Sequence, residues 1–226
     1  MIEGLLSVLE RFSIHPNDIS LYEMAFTHAS YTNEHPECHS YDRLEFLGDA
    51  VLDMVMAEEL YRRFPEKNSG EMSKARAVLI EGKTLTDFSE NRFGFAPLVR
   101  YSIGEKSNTR FHQHIDEDIF ESFIGACYLD QGFDFVRRLL LDIYEPLFKD
   151  LQARVDESDP KTRLQELVHS NIDYVLAHQA NLNSPDVCYR VNAQIQGTIL
   201  GTGIGHNIKE AEINAAKDAL SKRVGK

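Results

Sequence analysis

Residues 41–55 read YDRLEFLGDAVLDMV, a stretch that is helical in its pattern and unusually acidic. At 100° per residue its four carboxylates fall within an arc of about 80°, and apolar residues cover the opposite side. The carboxylates belong to Asp42, Glu45, Asp49 and Asp53, and the apolar residues are Leu44, Leu47, Val51, Met54 and Val55. The pattern predicts one helix with an acidic stripe and a wide apolar back.

A solvent-exposed face is the simplest explanation of such a stripe. However, like charges three or four residues apart cost a helix a few tenths of a kcal/mol per pair. Gly48 lies on the apolar side, where glycine costs about 1 kcal/mol relative to alanine but lets another backbone approach closely. Because both costs need a compensating benefit, the stripe is a candidate functional site. We expect Asp53 to lie in solvent, beyond the residues that form the site.

A second acidic helix is predicted in DEDIFESFIGACYLD, residues 116–130. Asp118 and Glu121 lie three residues apart on one face, and Gly125 again thins the helix. We interpret Asp116 and Glu117 as an acidic first turn that favours the helix dipole.

Two helices that each offer a pair of carboxylates one turn apart could converge on Mg²⁺ or Mn²⁺, which prefer oxygen ligands. Two such ions form a clamp for in-line attack on a phosphodiester. The pattern therefore predicts a metal-dependent phosphodiesterase.

The composition indicates a soluble globular protein, because 42% of the 226 residues are hydrophobic. No apolar run approaches the roughly 20 residues that span a bilayer, and the first residues include acids where a signal peptide has bases. We expect a cytoplasmic protein with no membrane partner. The widely spaced Cys38, Cys127 and Cys188 are interpreted as ordinary thiols, with Cys127 in the core.

The net charge of −12 is unevenly distributed along the chain. Residues 151–226 contain nine basic and nine acidic residues, which leaves 15 basic and 27 acidic residues in residues 1–150. A strongly acidic protein repels the phosphates of nucleic acids. The C-terminal part is neutral, so its charge does not argue against a nucleic-acid partner.

The same boundary separates two structural patterns. Up to residue 148 the apolar spacing is helical nearly throughout. Afterwards DYVLAHQA, CYRVNAQIQ and TILGTGIG alternate as strands do, between a helix near Pro160 and an Ala-rich helix. We predict a mainly α protein: an all-helical domain at 1–150, a linker at 151–160 and a small α-β-β-β-α domain of α+β type at 161–226.

DRLEFLGDAVLD resembles the signature stretch of the ribonuclease III family. LYEMAFTHASY, GEMSKARAVLIEGKTL and EDIFESFIGACYLDQG are similar to its other segments, and DPKTRLQELV with GTGIGHNIKEAEINAAKDAL resembles its double-stranded RNA-binding domain. The resemblance implies a homodimeric endoribonuclease that cleaves double-stranded RNA with Mg²⁺, or Mn²⁺ in its place. It also implies 5′-phosphate and 3′-hydroxyl ends, two-nucleotide 3′ overhangs, and a role in processing rRNA and other RNAs.

The resemblance assigns roles to the acidic residues. Glu45, Asp49, Asp118 and Glu121 fall on the family's metal-ligand carboxylates, and Asp49 and Glu121 on its most directly catalytic positions. Asp42 stands where the family commonly has Glu, and it is a secondary candidate for holding metal.

Three further positions match the family. Phe46 falls where the family places an aromatic knob that enters the partner subunit, and a core position is its alternative. Gly48 is expected in the same dimer interface. Glu71 matches an acid near the family's cleavage centre, and a role at a helix start is its alternative.

Asn207, Lys209 and Lys217 are the expected RNA contacts, with the amide groups of GTGIGHN beside them. The chain departs from the family here. NLNSPDV replaces a loop that usually carries Gly-Pro and His, and Ile208 replaces a basic residue. We therefore expect a weaker attraction to phosphates than is typical.

Two other classes of protein compete with this interpretation. A catalytically silent double-stranded RNA-binding protein would keep the fold, but all four ligand positions are acids. A helical di-iron or di-manganese protein normally needs Glu-x-x-His pairs, and residues 1–150 contain none.

Overall fold

The computed structural model describes residues 2–105, 115–180 and 188–224. The chain divides into two compact units, Met1–Leu151 and Gln152–Lys226. Within the described ranges, no helix is both long enough and apolar enough to cross a membrane.

The first unit is helical, as its apolar spacing predicts. Its α-helices are α1 (Ile2–Arg11), α2 (Ile19–Ala25), α3 (Ala29–Glu34), α4 (Asp42–Arg63), α5 (Ser69–Leu79), α6 (Gly82–Asp87), α7 (Ile115–Gln131) and α8 (Phe133–Lys149). A π-helical turn at Phe88–Phe93 and a 3₁₀ helix at Ala96–Leu98 follow α6. Asp18 caps α2 by accepting a hydrogen bond from the amide of Ser20 at 2.9 Å.

Aromatic rings fill the core of the first unit. Phe26, Phe93, Phe95 and Phe123 are buried, and the ring centroid of Phe95 lies 4.8 Å from those of Phe93 and Phe123. Tilted rings at this distance pack favourably beyond their buried area. Cys127, four residues after Phe123, is a buried free thiol, so its predicted place in the core is confirmed.

Helix α7 is fixed against α2 at two points. The Ser122 hydroxyl donates to the carbonyl oxygen of Ala25 at 2.7 Å. Near the other end, the Asp130 carboxylate accepts from the Tyr22 hydroxyl at 2.9 Å and from the Asp18 amide at 2.8 Å. These hydrogen bonds set the rotation of α7 and therefore the direction of its acidic face.

The end of α4 is fixed against α8 by ion pairs. The Glu59 carboxylate is only 10% exposed and lies 2.6 Å from Arg63 and 3.2 Å from Arg137 of α8. A partly buried carboxylate with two guanidinium partners has its charge compensated. Helix α4 is thus held at its C-terminal end, away from its acidic N-terminal half.

The second unit has the predicted order of helix, three strands and helix. Its elements are α10 (Pro160–Val168), β1 (Asp173–Ala180), β2 (Cys188–Ile195), β3 (Thr198–Gly205) and α11 (Ile208–Val224). The strands form one antiparallel sheet in the order β1-β2-β3. The segment expected as a linker is helical over Leu151–Ser158, which is α9, and Asp159 then caps α10.

Helix α11 packs on the glycine-rich strand β3. Alternate glycines of β3 face the helix, and a Cβ atom on Gly203 would lie 2.1 Å from the amide nitrogen of Ala215. Ala211, Ala215 and Ala219 are fully buried in this contact. Small residues on both sides therefore bring the helix close to the sheet.

Candidate active site

Helices α4 and α7 touch backbone to backbone at two glycines. A Cβ atom on Gly48 would lie 1.8 Å from the carbonyl oxygen of Glu121, and one on Gly125 would lie 2.2 Å from that of Leu44. A side chain at either position would force the helices apart. The expectation that Gly48 lies in a dimer interface is therefore wrong, because its neighbour is α7 of the same chain.

This contact brings the carboxylates of the two helices together. The pKa of Glu121 is raised to about 8, first by burial and then by the negative charges of Asp49, Glu45 and Asp118. The pKa of Glu45 is also raised, by burial and next by the charge of Asp118. The four residues predicted as metal ligands are thus neighbours that repel one another.

Glu117 is a fifth carboxylate of this cluster, although its spacing from the helix start suggested a dipole effect alone. Its charge adds to those that raise the pKa of Glu121. A Cβ atom on Gly82 would lie 1.9 Å from Glu117 Oε2, so the missing side chain makes room for this carboxylate. Asp116 instead accepts a hydrogen bond from the Ser89 hydroxyl at 3.3 Å. The sequence feature that places Glu117 in the cluster is its position one helical turn before Glu121, on the same face of α7.

A tyrosine at the start of α4 contacts one of these carboxylates. The Tyr41 hydroxyl donates to Asp118 Oδ2 at 3.1 Å, and its side chain is buried. Sequence reasoning missed Tyr41, because an uncharged ring before a helix gives no sign of a partner 77 positions later.

The two secondary candidates lie in different places. The charge of Asp42 helps to raise the pKa of Glu45, so Asp42 stands at the edge of the cluster. Glu71 closes a capping box with Asn68 at the start of α5. Glu71 therefore serves the helix start, the alternative role that its position suggested.

Asp53 differs from its expected solvated state. Its carboxylate is 39% exposed, and Oδ1 lies 3.4 Å from Nε of Arg76. Asp53 is thus partly buried and ion-paired to α5, one turn beyond Asp49.

The donor set fits a divalent cation in its chemistry. All the clustered donors are carboxylate oxygens, which hard cations prefer, and a bound cation would relieve their mutual repulsion. Within the described ranges, no three acidic, histidine or cysteine side chains converge closely enough to cage an ion. The cluster therefore offers neighbouring donors of the right type, without a closed cage.

The outer side of α4 exposes apolar residues. Phe46 is 80% exposed, Met54 60% and Tyr61 72%, so the alternative of a core position for Phe46 is wrong. Near the end of this face, a pocket of about 240 Å³ is lined by Leu60, Tyr61 and Met72 among others. Apolar side chains aligned on one helix face are typical of a surface that another molecule covers.

The predicted RNA contacts on the second unit differ in their surroundings. Lys209 and Lys217 are exposed on α11. The Asn207 side chain accepts from the Glu210 amide at 2.9 Å, and the Glu210 carboxylate accepts from the His206 amide at 2.8 Å. The start of α11 is thus capped by a carboxylate, which uses an amide that was expected to meet phosphate.

The GTGIG stretch forms most of β3, and its glycines serve the contact with α11. Its expected role as a phosphate-binding turn is therefore wrong. The altered loop NLNSPDV lies outside the described residues.

Comparisons with known proteins agree with the order of the two units along the chain. The family model described as ribonuclease-III-like matches residues 18–147, and the double-stranded RNA binding motif matches residues 160–223. Ribonuclease 3 of Ligilactobacillus salivarius is 39% identical over 231 residues, which cover 98% of this chain and 99% of that protein. Ribonuclease 3 of Pediococcus pentosaceus is 40% identical over 229 residues, with 97% of each chain covered.

A solved structure resembles the first unit. The nuclease domain of ribonuclease III from Campylobacter jejuni, described for flexibility in a region involved in dimer formation, has a TM-score of 0.57 and 32% identity. The match covers 65% of this chain and 97% of that domain. The chain has a helical unit with two acidic helices, followed by a unit that matches the double-stranded RNA binding motif, and its relatives match over nearly their full length. The chain therefore belongs to the ribonuclease III family.

Proposed function

We propose that this chain is an endoribonuclease that cleaves double-stranded RNA with Mg²⁺, or Mn²⁺ in its place. The observation that carries the proposal is the glycine contact between α4 and α7, which sets Glu45, Asp49, Asp118 and Glu121 beside one another. We assign all four carboxylates to metal binding, and Asp49 and Glu121 to the most direct catalytic roles. Asp42 is assigned to the edge of the site.

The carboxylates would act through charge and orientation. Bound Mg²⁺ would activate a water and stabilise the leaving oxygen of the phosphodiester. Glu45 and Asp49 would hold the ions from α4, and Asp118 and Glu121 from α7. Because its pKa is raised to about 8, Glu121 keeps its proton near neutral pH in the metal-free chain and would release it on loading.

The exposed face of α4 supports a homodimer. Two copies of α4 that pack antiparallel about an axis beside Met54 would place Phe46 of each copy near Tyr61 of the other. Tyr61 lines the pocket of about 240 Å³, which offers a socket for the exposed ring of Phe46. The related Campylobacter domain has a region involved in dimer formation, which favours the same assembly here.

The second unit would hold the RNA duplex. Domains of this type read the A-form shape through 2′-hydroxyl and phosphate contacts across two minor grooves. Lys209 and Lys217 are exposed for such contacts, and Asn207 lies at the capped helix start, two residues before Lys209. The carboxylate of Glu210 in that cap and the neutral balance of the unit support a modest affinity.

The finer parts of the proposal follow from family membership. We assign residues 1–150 to the nuclease domain, 151–160 to the connection, and 161–226 to the RNA-binding domain. The products would carry 5′-phosphate and 3′-hydroxyl ends with two-nucleotide 3′ overhangs. A cytoplasmic role in processing rRNA and other RNAs suits such an enzyme.

The test is cleavage by the purified full-length chain. With Mg²⁺ it should cut a perfectly paired RNA and leave the single strands and a DNA duplex of the same sequence intact. EDTA should stop the reaction. Cleavage of single-stranded RNA at a comparable rate, or none of the duplex with either Mg²⁺ or Mn²⁺, would contradict the proposal.

A further inference from the structure

The backbone of Tyr41 is fixed on both sides. Its amide donates to the carbonyl oxygen of Thr27 at 2.9 Å, and its own carbonyl accepts from the amides of Leu44 and Glu45 at 2.8 and 2.9 Å. The last two hydrogen bonds begin α4. The start of that helix therefore determines where the Tyr41 ring can lie.

The ring of Tyr41 is fixed as well. Only 3% of the residue is exposed, and its ring centroid lies 5.7 Å from that of His28. His28 is held in turn by Ser30, whose amide donates to His28 Nδ1 at 3.0 Å.

We propose that Tyr41 is a positioning residue that orients the carboxylate of Asp118 for metal binding. Its hydroxyl donates to Oδ2 of Asp118 at 3.1 Å, and this hydrogen bond from a buried, fixed ring restricts the orientation of that carboxylate. Hydrogen bonds from outer residues fix the orientation of metal-binding side chains, and their loss typically weakens metal binding 10- to 100-fold. This inference rests on the proposed metal-dependent function of the cluster.

The chain offers a matched pair of substitutions. Tyr41→Phe removes the hydroxyl and keeps the ring. Tyr22→Phe does the same at another buried tyrosine, whose hydroxyl donates to Asp130 at 2.9 Å at the far end of α7. Each variant loses one partly buried Tyr–Asp hydrogen bond, so a purely structural role predicts similar effects for both.

Mn²⁺ binding to the full-length chain, measured by the paramagnetic signal of the free ion, gives the primary readout. Tyr41→Phe should weaken binding about tenfold, and Tyr22→Phe should leave it unchanged. The Mg²⁺ concentration for half-maximal cleavage should rise by a similar factor in Tyr41→Phe, and saturating Mg²⁺ should restore most of the rate. Thermal unfolding in EDTA should show that both variants are folded.

A second arm tests whether Tyr41 acts through Asp118. In an Asp118→Asn background, Tyr41→Phe should change Mn²⁺ binding no further. Wild-type affinity in Tyr41→Phe, an equal loss in Tyr22→Phe, or an undiminished effect without Asp118 would overturn the inference. Mn²⁺ binding that depends on Tyr41 in a chain that cleaves no duplex RNA would instead overturn the proposed function alone.

Discussion

The α4–α7 contact and the β3–α11 contact both depend on glycine, yet the side chains that flank them differ. Around Gly48 the helices carry carboxylates, and the pKa of Glu121 is raised to about 8. Around Gly203 the flanking residues are alanines, which are fully buried. Close packing therefore forces charges together in the first unit, and it only buries apolar surface in the second.

The difference has an energetic consequence. Burial of small apolar side chains between β3 and α11 stabilises the second unit without any dependence on ionisable groups or cations. The carboxylates beside Glu121 oppose the packing that holds them, unless protons or cations neutralise them. The first contact is thus sensitive to pH and metal, and the second is not.

The largest expected effect is that of Gly48→Ala. The added methyl would lie 1.8 Å from a backbone carbonyl oxygen, so α4 and α7 must separate. We expect a loss of about 3 kcal/mol in the stability of the first unit, the upper end of the usual cost of overpacking, because a clash with backbone has no flexible side chain to relieve it. Cleavage should be abolished.

Thermal unfolding and a duplex cleavage assay measure both effects. Gly104→Ala is the control for stability, since nothing lies within 4 Å of a Cβ atom there. Wild-type stability and cleavage in Gly48→Ala would show that the helices do not touch at this glycine.

The corresponding change in the second unit is Gly203→Ala. Its methyl would lie 2.1 Å from the amide nitrogen of Ala215, so α11 must move off the sheet. We expect the affinity for duplex RNA to fall more than about tenfold. Overpacking costs about 1–3 kcal/mol of folding stability, which is enough to unfold a large fraction of a small unit. The unfolding of the first unit should stay unchanged in calorimetry. A matching loss in the first unit would mean that the two contacts are not independent.

Glu121→Gln separates charge from packing. Cleavage should be lost while duplex RNA binding remains, because the substitution removes a metal-binding charge without altering size.

Glu121 also makes stability depend on pH. A group whose folded-state pKa is raised from 4.5 to about 8 contributes stability below pH 4.5 that is lost as the pH rises toward 8. The free energy of unfolding of the metal-free wild type should therefore fall as the pH rises from about 5 to about 8. In Glu121→Gln it should fall by less over the same range.

Denaturant unfolding in EDTA at several pH values measures this difference. Gly203→Ala, which leaves the carboxylates in place, should keep the pH dependence of the first unit. The same pH dependence in wild type and Glu121→Gln would refute the repulsion argument.

The smallest expected effect is that of Asp53→Asn. Asp53 and Arg76 are 39% and 38% exposed, and a pair so open to solvent contributes at most about 1 kcal/mol. Cleavage should stay within about twofold of wild type in a steady-state assay. Complete loss of activity would place Asp53 among the metal ligands.

The sequence predicted the elements well where local pattern determines them. The helix that begins at Asp42, the helix with Asp118 and Glu121, and the order of strands in the second unit all follow from periodicity. The two glycines were recognised as points of close approach. Which backbone approaches Gly48 depends on tertiary packing, so its assignment to another subunit was wrong.

The missed residues share a physical reason. Tyr41 contacts Asp118 across 77 positions, and the carboxylate of Glu117 lies against Gly82, where no side chain stands. Neither contact has a signature in local spacing, although the spacing of Glu117 from Glu121 places both on one face of α7. Asn207 and Glu210 have the spacing of a capping box, and in the structure they form that cap, which uses the His206 amide that phosphate would need.

The central claim is that the α4–α7 contact assembles carboxylates that bind divalent cations. Titration calorimetry with Mg²⁺ tests it most directly, on the full-length wild type and on a variant carrying both Asp49→Asn and Glu121→Gln. The account predicts saturable binding to the wild type and none to the double variant, with both proteins folded in EDTA. Identical isotherms for the two proteins would contradict it.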